Sequence, residues 1–162
     1  MIPSVIDTNV LVVANGRDTH ACRECRLATI EALRSVMVSS ALILDAGRRI
    51  LDEYRKHCDH SGRPEVGDEF FRWAFDHAAA LCSVKLTENE ERGFDEFPDD
   101  PALAQFDRDD RVFVAVSVAA GIDNVILNAV DSDYQLHRGG LDTAGVVVKE
   151  LCPSELKAVG ET

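Results

Sequence analysis

Acidic residues stand at four places where a pocket could be built: Asp7, Glu53, Asp110 and the pair Asp131 and Asp133. Carboxylates gathered in one pocket repel one another and raise their own pKa values unless a cation neutralises them. A hard divalent ion with oxygen ligands and several retained waters suits such a set. The chemistry it would support is hydrolysis of a phosphodiester, one metal acidifying the attacking water and a second stabilising the leaving oxygen. Each acid also has a plain structural reading. Asp7 could cap a helix, and Asp131 and Asp133 could cap another. Glu53 could pair with Arg49 one turn earlier, and Asp110 could complement a helix dipole behind Asp107 as cap.

The elements that must position these acids follow from hydrophobic spacing. Residues 2–6 form an apolar run, expected to be a buried strand, with Asp7 at its end and a helix through 10–13 beyond it. Helical spacing of Leu27, Ile30 and Leu33 predicts a helix over 21–36, followed by a strand over 37–44. A helix over 46–56 carries Glu53, with Ile50, Leu51 and Tyr54 as its apolar stripe. After a loop over 60–64, a helix over 67–80 carries Phe70, Phe71, Trp73 and Phe75, read as packing surface. Strands are expected over 83–86, 124–127 and 145–149, a long loop over 93–109, a helix over 110–120, and a turn or short helix after Asp131. Strands alternating with helices imply a parallel sheet covered on both faces. Ligands of such sheets bind beyond the carboxyl ends of the strands, where Asp7 and Asp131 would lie.

At 162 residues, 46% hydrophobic and 28% charged, the chain is expected to be one domain, 1–162, of ordinary globular type. No run is apolar and long enough to span a bilayer, and the start resembles no secretory signal. Five cysteines without a repeating framework suit a reducing cytoplasm. His20, Cys22 and Cys25, and His57, Cys58 and His60, form two clusters, but their spacings match no defined zinc finger. A net charge of −12 argues against generic tight binding of nucleic acid. It leaves room for a nuclease, because bound cations reverse the local field. Ten acids lie between Glu88 and Asp110, expected to be a solvated loop. Arg17, Arg111, Arg138 and His137 are the basic groups nearest the acids in sequence, and each also reads as a surface charge.

Four strings occur in order: Val5-Ile6-Asp7-Thr8-Asn9, Ile50-Leu51-Asp52-Glu53-Tyr54, Asp110 to Val116, and Asp131-Ser132-Asp133-Tyr134. Together they resemble the PIN domain pattern, over roughly residues 2–149, and that family includes the VapC-like ribonuclease toxins. The resemblance implies a three-layer α/β/α sandwich with a central parallel sheet, Mg²⁺ or Mn²⁺, and endonucleolytic cleavage of single-stranded RNA leaving a 5′-phosphate. It also implies a homodimer and, for a toxin of that kind, an antitoxin partner. Carried over residue by residue, Asp7, Glu53, Asp110 and Asp131 match the metal-binding acids, Asp133 a frequent additional acid, and Asn9 the residue that holds the first aspartate. Ala129 departs from the pattern, which usually has Thr or Ser there; Asn128 or Ser132 is the expected substitute. A PIN-like module that binds RNA or protein without useful turnover is the competing expectation. A dehalogenase-type phosphatase would want an aspartate where Asn9 stands, and a receiver domain an acidic pair that is missing here.

Overall fold

The computed structural model describes residues 1–160, with side chains through residue 156; the last two positions of the expected domain lie outside the described residues. Three parallel strands, β1 (Ser4–Ile6), β6 (Val125–Asn128) and β7 (Val148–Glu150), pair in the order β1-β6-β7. Ser4 lies opposite Val125 and Ile6 opposite Leu127, while Asn128 faces Glu150 across β6–β7. A second parallel pair joins β2 (Ile43–Asp45) to β3 (Cys82–Val84). One bridge, Ser4 to Leu42, and the bond from the Ser4 amide to the Ala41 carbonyl tie this pair to the other edge of β1. The short β4 (Glu88–Asn89) and β5 (Gly93–Phe94) form an antiparallel hairpin. The protein is thus mixed α/β with a small parallel sheet, and the carboxyl ends of β1, β6 and β7 face the same way.

Helices α1 (Thr8–Ala14), α2 (Arg23–Ser39), α3 (Arg49–His57) and α4 (Val66–His77) pack against one another; α5 (Arg111–Ala119) packs against β1, β2 and β6. The short α6 (Asp133–Leu136) and α7 (Arg138–Thr143) follow β6, and α8 (Pro153–Gly160) follows β7. α1 and α4 come so close that a Cβ at Gly67 would collide with the Leu11 carbonyl oxygen and the Asn15 side chain. Beside that contact, the buried Asp68 accepts bonds from Asn15 Nδ2 and the amides of Asp59 and Glu65, which satisfies its charge. Phe70 and Phe71 are fully buried, as packing residues, with Trp73 and Phe75 half-buried beside them.

Several expectations are corrected. The strand expected over 37–44 begins only at Ile43, because α2 continues through Ser39. Val36 is buried one turn after Leu33, Met37 packs beside it, and Ser40 ends the helix in the left-handed region at φ 51°. The acidic stretch before α5 is not a solvated loop throughout. It buries Phe94, Phe97, Leu103 and Phe106 around Arg111, which is 5% exposed. The Arg111 guanidinium donates to the carbonyls of Phe106, Ala104 and Arg92 and lies over the Phe97 ring. A surface role for Arg111 is excluded by this burial. The last strand starts at Val148, since Val146 and Gly145 close the turn after α7, and α8 was not anticipated. Cys25 and Cys152, 127 positions apart, form a disulfide, a pairing that no local spacing announces.

Candidate metal centre

Asp7 leaves β1 in extended conformation and caps α1. One carboxylate oxygen accepts the Asn9 amide at 3.0 Å and the other accepts the Tyr134 hydroxyl at 2.7 Å. Capping therefore uses one oxygen and coexists with a role in the pocket. Asp131 follows β6 in a turn built by Asn128. The Asn128 Nδ2 donates to the Asp131 carbonyl at 2.8 Å and to Glu150 Oε2 at 2.7 Å, while its oxygen accepts the Asp131 amide. Asn9 joins the two strand ends: its Nδ2 donates to Asn128 Oδ1 at 2.9 Å, and its oxygen accepts the amides of Ala129 and Val130. Asp110 closes a 3₁₀ turn, Arg108–Asp110, just before α5. Asp107 starts that turn by accepting the Asp109 amide.

These elements converge. One carboxylate oxygen from each of Asp7, Asp110 and Asp131 lies within 4.8 Å of the others, the one such group among the described residues. The electrostatics follow from that spacing. Burial pushes Asp110 up to about 10, helped by its hydrogen bond to Asp131 and the charge of Asp7. Burial also pushes Asp7 up to about 6, against the pull of the Asn9 amide and the Tyr134 hydroxyl. Opposed carboxylates of this kind are neutralised by protons or by a cation. Oxygen donors at this spacing fit a hard divalent cation, and the donor set could hold one. The same cleft, about 340 Å³, is lined by Thr8, whose buried Oγ1 has no hydrogen-bond partner. A hydroxyl left so, beside three acids, fits a water or an oxyanion held at a metal.

The other expected residues fall in distinct places. Glu53 lines this cleft from α3, but its Oε1 is 2.7 Å from Lys56 Nζ, and it is not one of the three converging acids. Asp133 accepts the Asp107 amide at 2.7 Å and sits 3.3 Å from His137 Nδ1, so it ties the Asp131 turn to the loop before α5. Ser132 starts α6 without a side-chain capping bond; Asn128 is the residue that braces Asp131. Arg17 donates to the His57 carbonyl and pairs with Asp59. The His and Cys clusters do not form a zinc set: Cys25 is in the disulfide, buried Cys58 donates to the Gly67 carbonyl, and His60 packs edge-on to Phe71 and Phe75.

Sequence reasoning missed Tyr134, Thr8 and His57 as lining or bracing residues. Tyr134 stood in the quoted motif, three positions after Asp131, yet nothing in that spacing shows its hydroxyl reaching across to Asp7. A separate, more apolar cavity of about 410 Å³ lies between α6, α7, β7 and α8, with Glu150 and Tyr134 on its wall. It includes none of the three acids. The chain matches no protein-family model, no curated protein and no solved structure.

Proposed function

We propose that the chain is a metal-dependent endoribonuclease of PIN type that hydrolyses phosphodiester bonds of single-stranded RNA. The observation that carries this reading is the meeting of Asp7, Asp110 and Asp131, drawn from positions 124 residues apart in the chain, within 4.8 Å. When bound, Mg²⁺ or Mn²⁺ would polarise the phosphoryl oxygen and acidify the attacking water. Asp7, Asp110 and Asp131 are the residues that would hold it, with Glu53 bordering the same cleft. Asn9 and Tyr134 fix the Asp7 carboxylate from both sides, and Asn128 fixes the Asp131 turn. Burial and the neighbouring Asp131 and Asp7 carboxylates favour the protonated form of Asp110, which would release its proton on holding a divalent cation. Thr8 Oγ1 is free to donate to an oxygen of the scissile phosphate. Lys56 pairs with Glu53 at the border of this acidic cleft, and His57 lines it from α3.

The same reading takes in a three-layer sandwich, an antitoxin that restrains the enzyme and a homodimer; the cytoplasmic home expected from the cysteine content stands against the Cys25–Cys152 disulfide, a bond that persists mainly in oxidising compartments. No helix among the described residues is long and apolar enough to cross a membrane. One observation favours a second reading, a PIN-like module with little turnover: Lys56 engages Glu53, leaving three acids facing one another. The deciding experiment incubates the full chain with labelled single-stranded RNA and Mn²⁺ or Mg²⁺, with EDTA and Asp7→Asn as controls. Cleavage lost in both controls supports the enzyme. RNA binding without cleavage selects the module, and failure to bind Mn²⁺ by calorimetry removes the catalytic reading.

A further inference from the structure

Three of the five cysteines come together at the N-terminal end of α2, and none of them lines the acidic cleft. Cys22 is the N-cap of α2, and its sulfur accepts the Cys25 amide at 3.4 Å. Cys25, in the first turn, is bonded to Cys152, and both are nearly fully buried. Cys22 is a free thiol and half-exposed. Its own amide donates to Glu155 Oε1 at 2.9 Å, so a second contact joins the start of α2 to α8 at the point where the disulfide does. We propose that Cys22, Cys25 and Cys152 form a thiol–disulfide exchange centre, in which Cys22 displaces Cys152 from Cys25 and unfastens the C-terminal segment.

The step conserves electrons without a co-reactant. The Cys22 thiolate attacks Cys25 Sγ; the Cys22–Cys25 bond forms as the Cys25–Cys152 bond breaks, and Cys152 leaves as a thiolate that takes up the proton Cys22 lost. Burial keeps dissolved thiols away from the Cys25–Cys152 bond, while the half-exposed Cys22 sulfur lies 3.4 Å from the amide of Cys25, one of that bond's two partners. Residues three apart on a helix have Cβ atoms about 5–6 Å apart, wider than the roughly 3.5–4.5 Å of a disulfide. The difference is closed by rotation at Cys22, the cap residue, which lies outside the regular helix. The Cys25 amide favours the Cys22 thiolate, but the Glu155 carboxylate and desolvation outweigh it and set the thiol above its ordinary value. The centre is therefore slow at rest. Once Cys152 is free, Pro153 and Leu156, which wall the apolar cavity beside Tyr134, are held without their covalent anchor.

Trypsin separates the three sulfurs: Cys22 falls in Asp18–Arg23, Cys25 in Glu24–Arg26 and Cys152 in Glu150–Lys157. The oxidised full chain is held in mildly alkaline buffer without added thiol, acid-quenched, alkylated with N-ethylmaleimide, digested and read by mass spectrometry. The expected result is a Cys22–Cys25 cross-link that grows with time while alkylated Cys22 falls and alkylated Cys152 rises equally. In Cys152→Ser, oxidation with glutathione disulfide is expected to give the same Cys22–Cys25 link. Hydrogen exchange in the Glu150–Lys157 peptide should rise in both. Cys22 remaining wholly alkylated in the native chain, a Cys22–Cys152 link in its place, or no Cys22–Cys25 link in Cys152→Ser would each overturn the proposal.

Discussion

Replacing Asp7 by Asn should make the metal-free protein more stable while removing its response to metal. The sign comes from the carboxyl itself. Its value in the folded chain is raised from 3.8 to about 6, so the folded state holds the proton more tightly than the unfolded state. The stabilising contribution is complete below about pH 4 and is lost as pH rises through about 6. At roughly 1.4 kcal/mol per pH unit, ionised Asp7 costs the metal-free fold about 3 kcal/mol above pH 7. Asn keeps an oxygen for the Asn9 amide, and the Tyr134 hydroxyl can turn to accept from the new amide. Weakening those bonds costs about 1 kcal/mol, leaving a gain of about 2 kcal/mol. For a domain of this size that gain raises Tm by about 4–8 °C. In Mn²⁺ at a hundred times Kd the native chain gains about 2.7 kcal/mol and the variant nothing, so their order reverses. Thermal unfolding at pH 5, 6 and 7.5, in EDTA and in Mn²⁺, reads all of this. A variant less stable than the native chain in EDTA at pH 7.5, or a native Tm that climbs from pH 5 to 7.5 in EDTA, would refute the argument.

Calorimetric titration with Mn²⁺ at pH 7.5, in buffers of different ionisation enthalpy, should show release of about one proton per site, given up mainly by Asp110; Asp110→Asn should abolish it. Tyr134→Phe removes a bond that lowers Asp7, so Mn²⁺ affinity should fall more at pH 6 than at pH 8, measured by the same titration. Asn9→Ala leaves the amides of Ala129 and Val130 without a partner, takes one of two donors from Asn128 Oδ1, and should cost about 2–3 kcal/mol in denaturant unfolding, with weaker metal binding. Arg111→Met strips donors from several buried carbonyls and should destabilise by about 3 kcal/mol, with limited proteolysis opening the loop before α5 first.

The acids at the strand ends were legible because two local rules agree on them. Asp7 follows an apolar run and precedes a helix, and Asp131 follows another such run, so the topology alone sends both to one sheet edge. Glu53 was harder, since an i,i+3 lysine competes for its carboxylate and helix spacing cannot say which contact wins. Asp133 was expected as an additional acid beside Asp131, but a two-residue offset turns it toward the Asp107 amide. The segment before α5 was misread because its charge is high, while its aromatic residues fold inward around one buried guanidinium. That solution depends on Arg111 receiving carbonyls that only the folded loop presents. The Cys25–Cys152 bond was invisible for a similar reason, as its partners meet only after the sheet is complete.

The bonds from Asn9 to Asn128, Ala129 and Val130 also set a schedule for synthesis. Asp7 leaves the ribosome long before the strand that aligns it, and at about 5–20 residues per second the wait between Asn9 and Asn128 is roughly ten seconds. A nascent chain halted before β6 carries two of the three acids and no assembled site. The three-acid cluster thus assembles in one event, when β6 pairs with β1 and Asn9 bridges their ends.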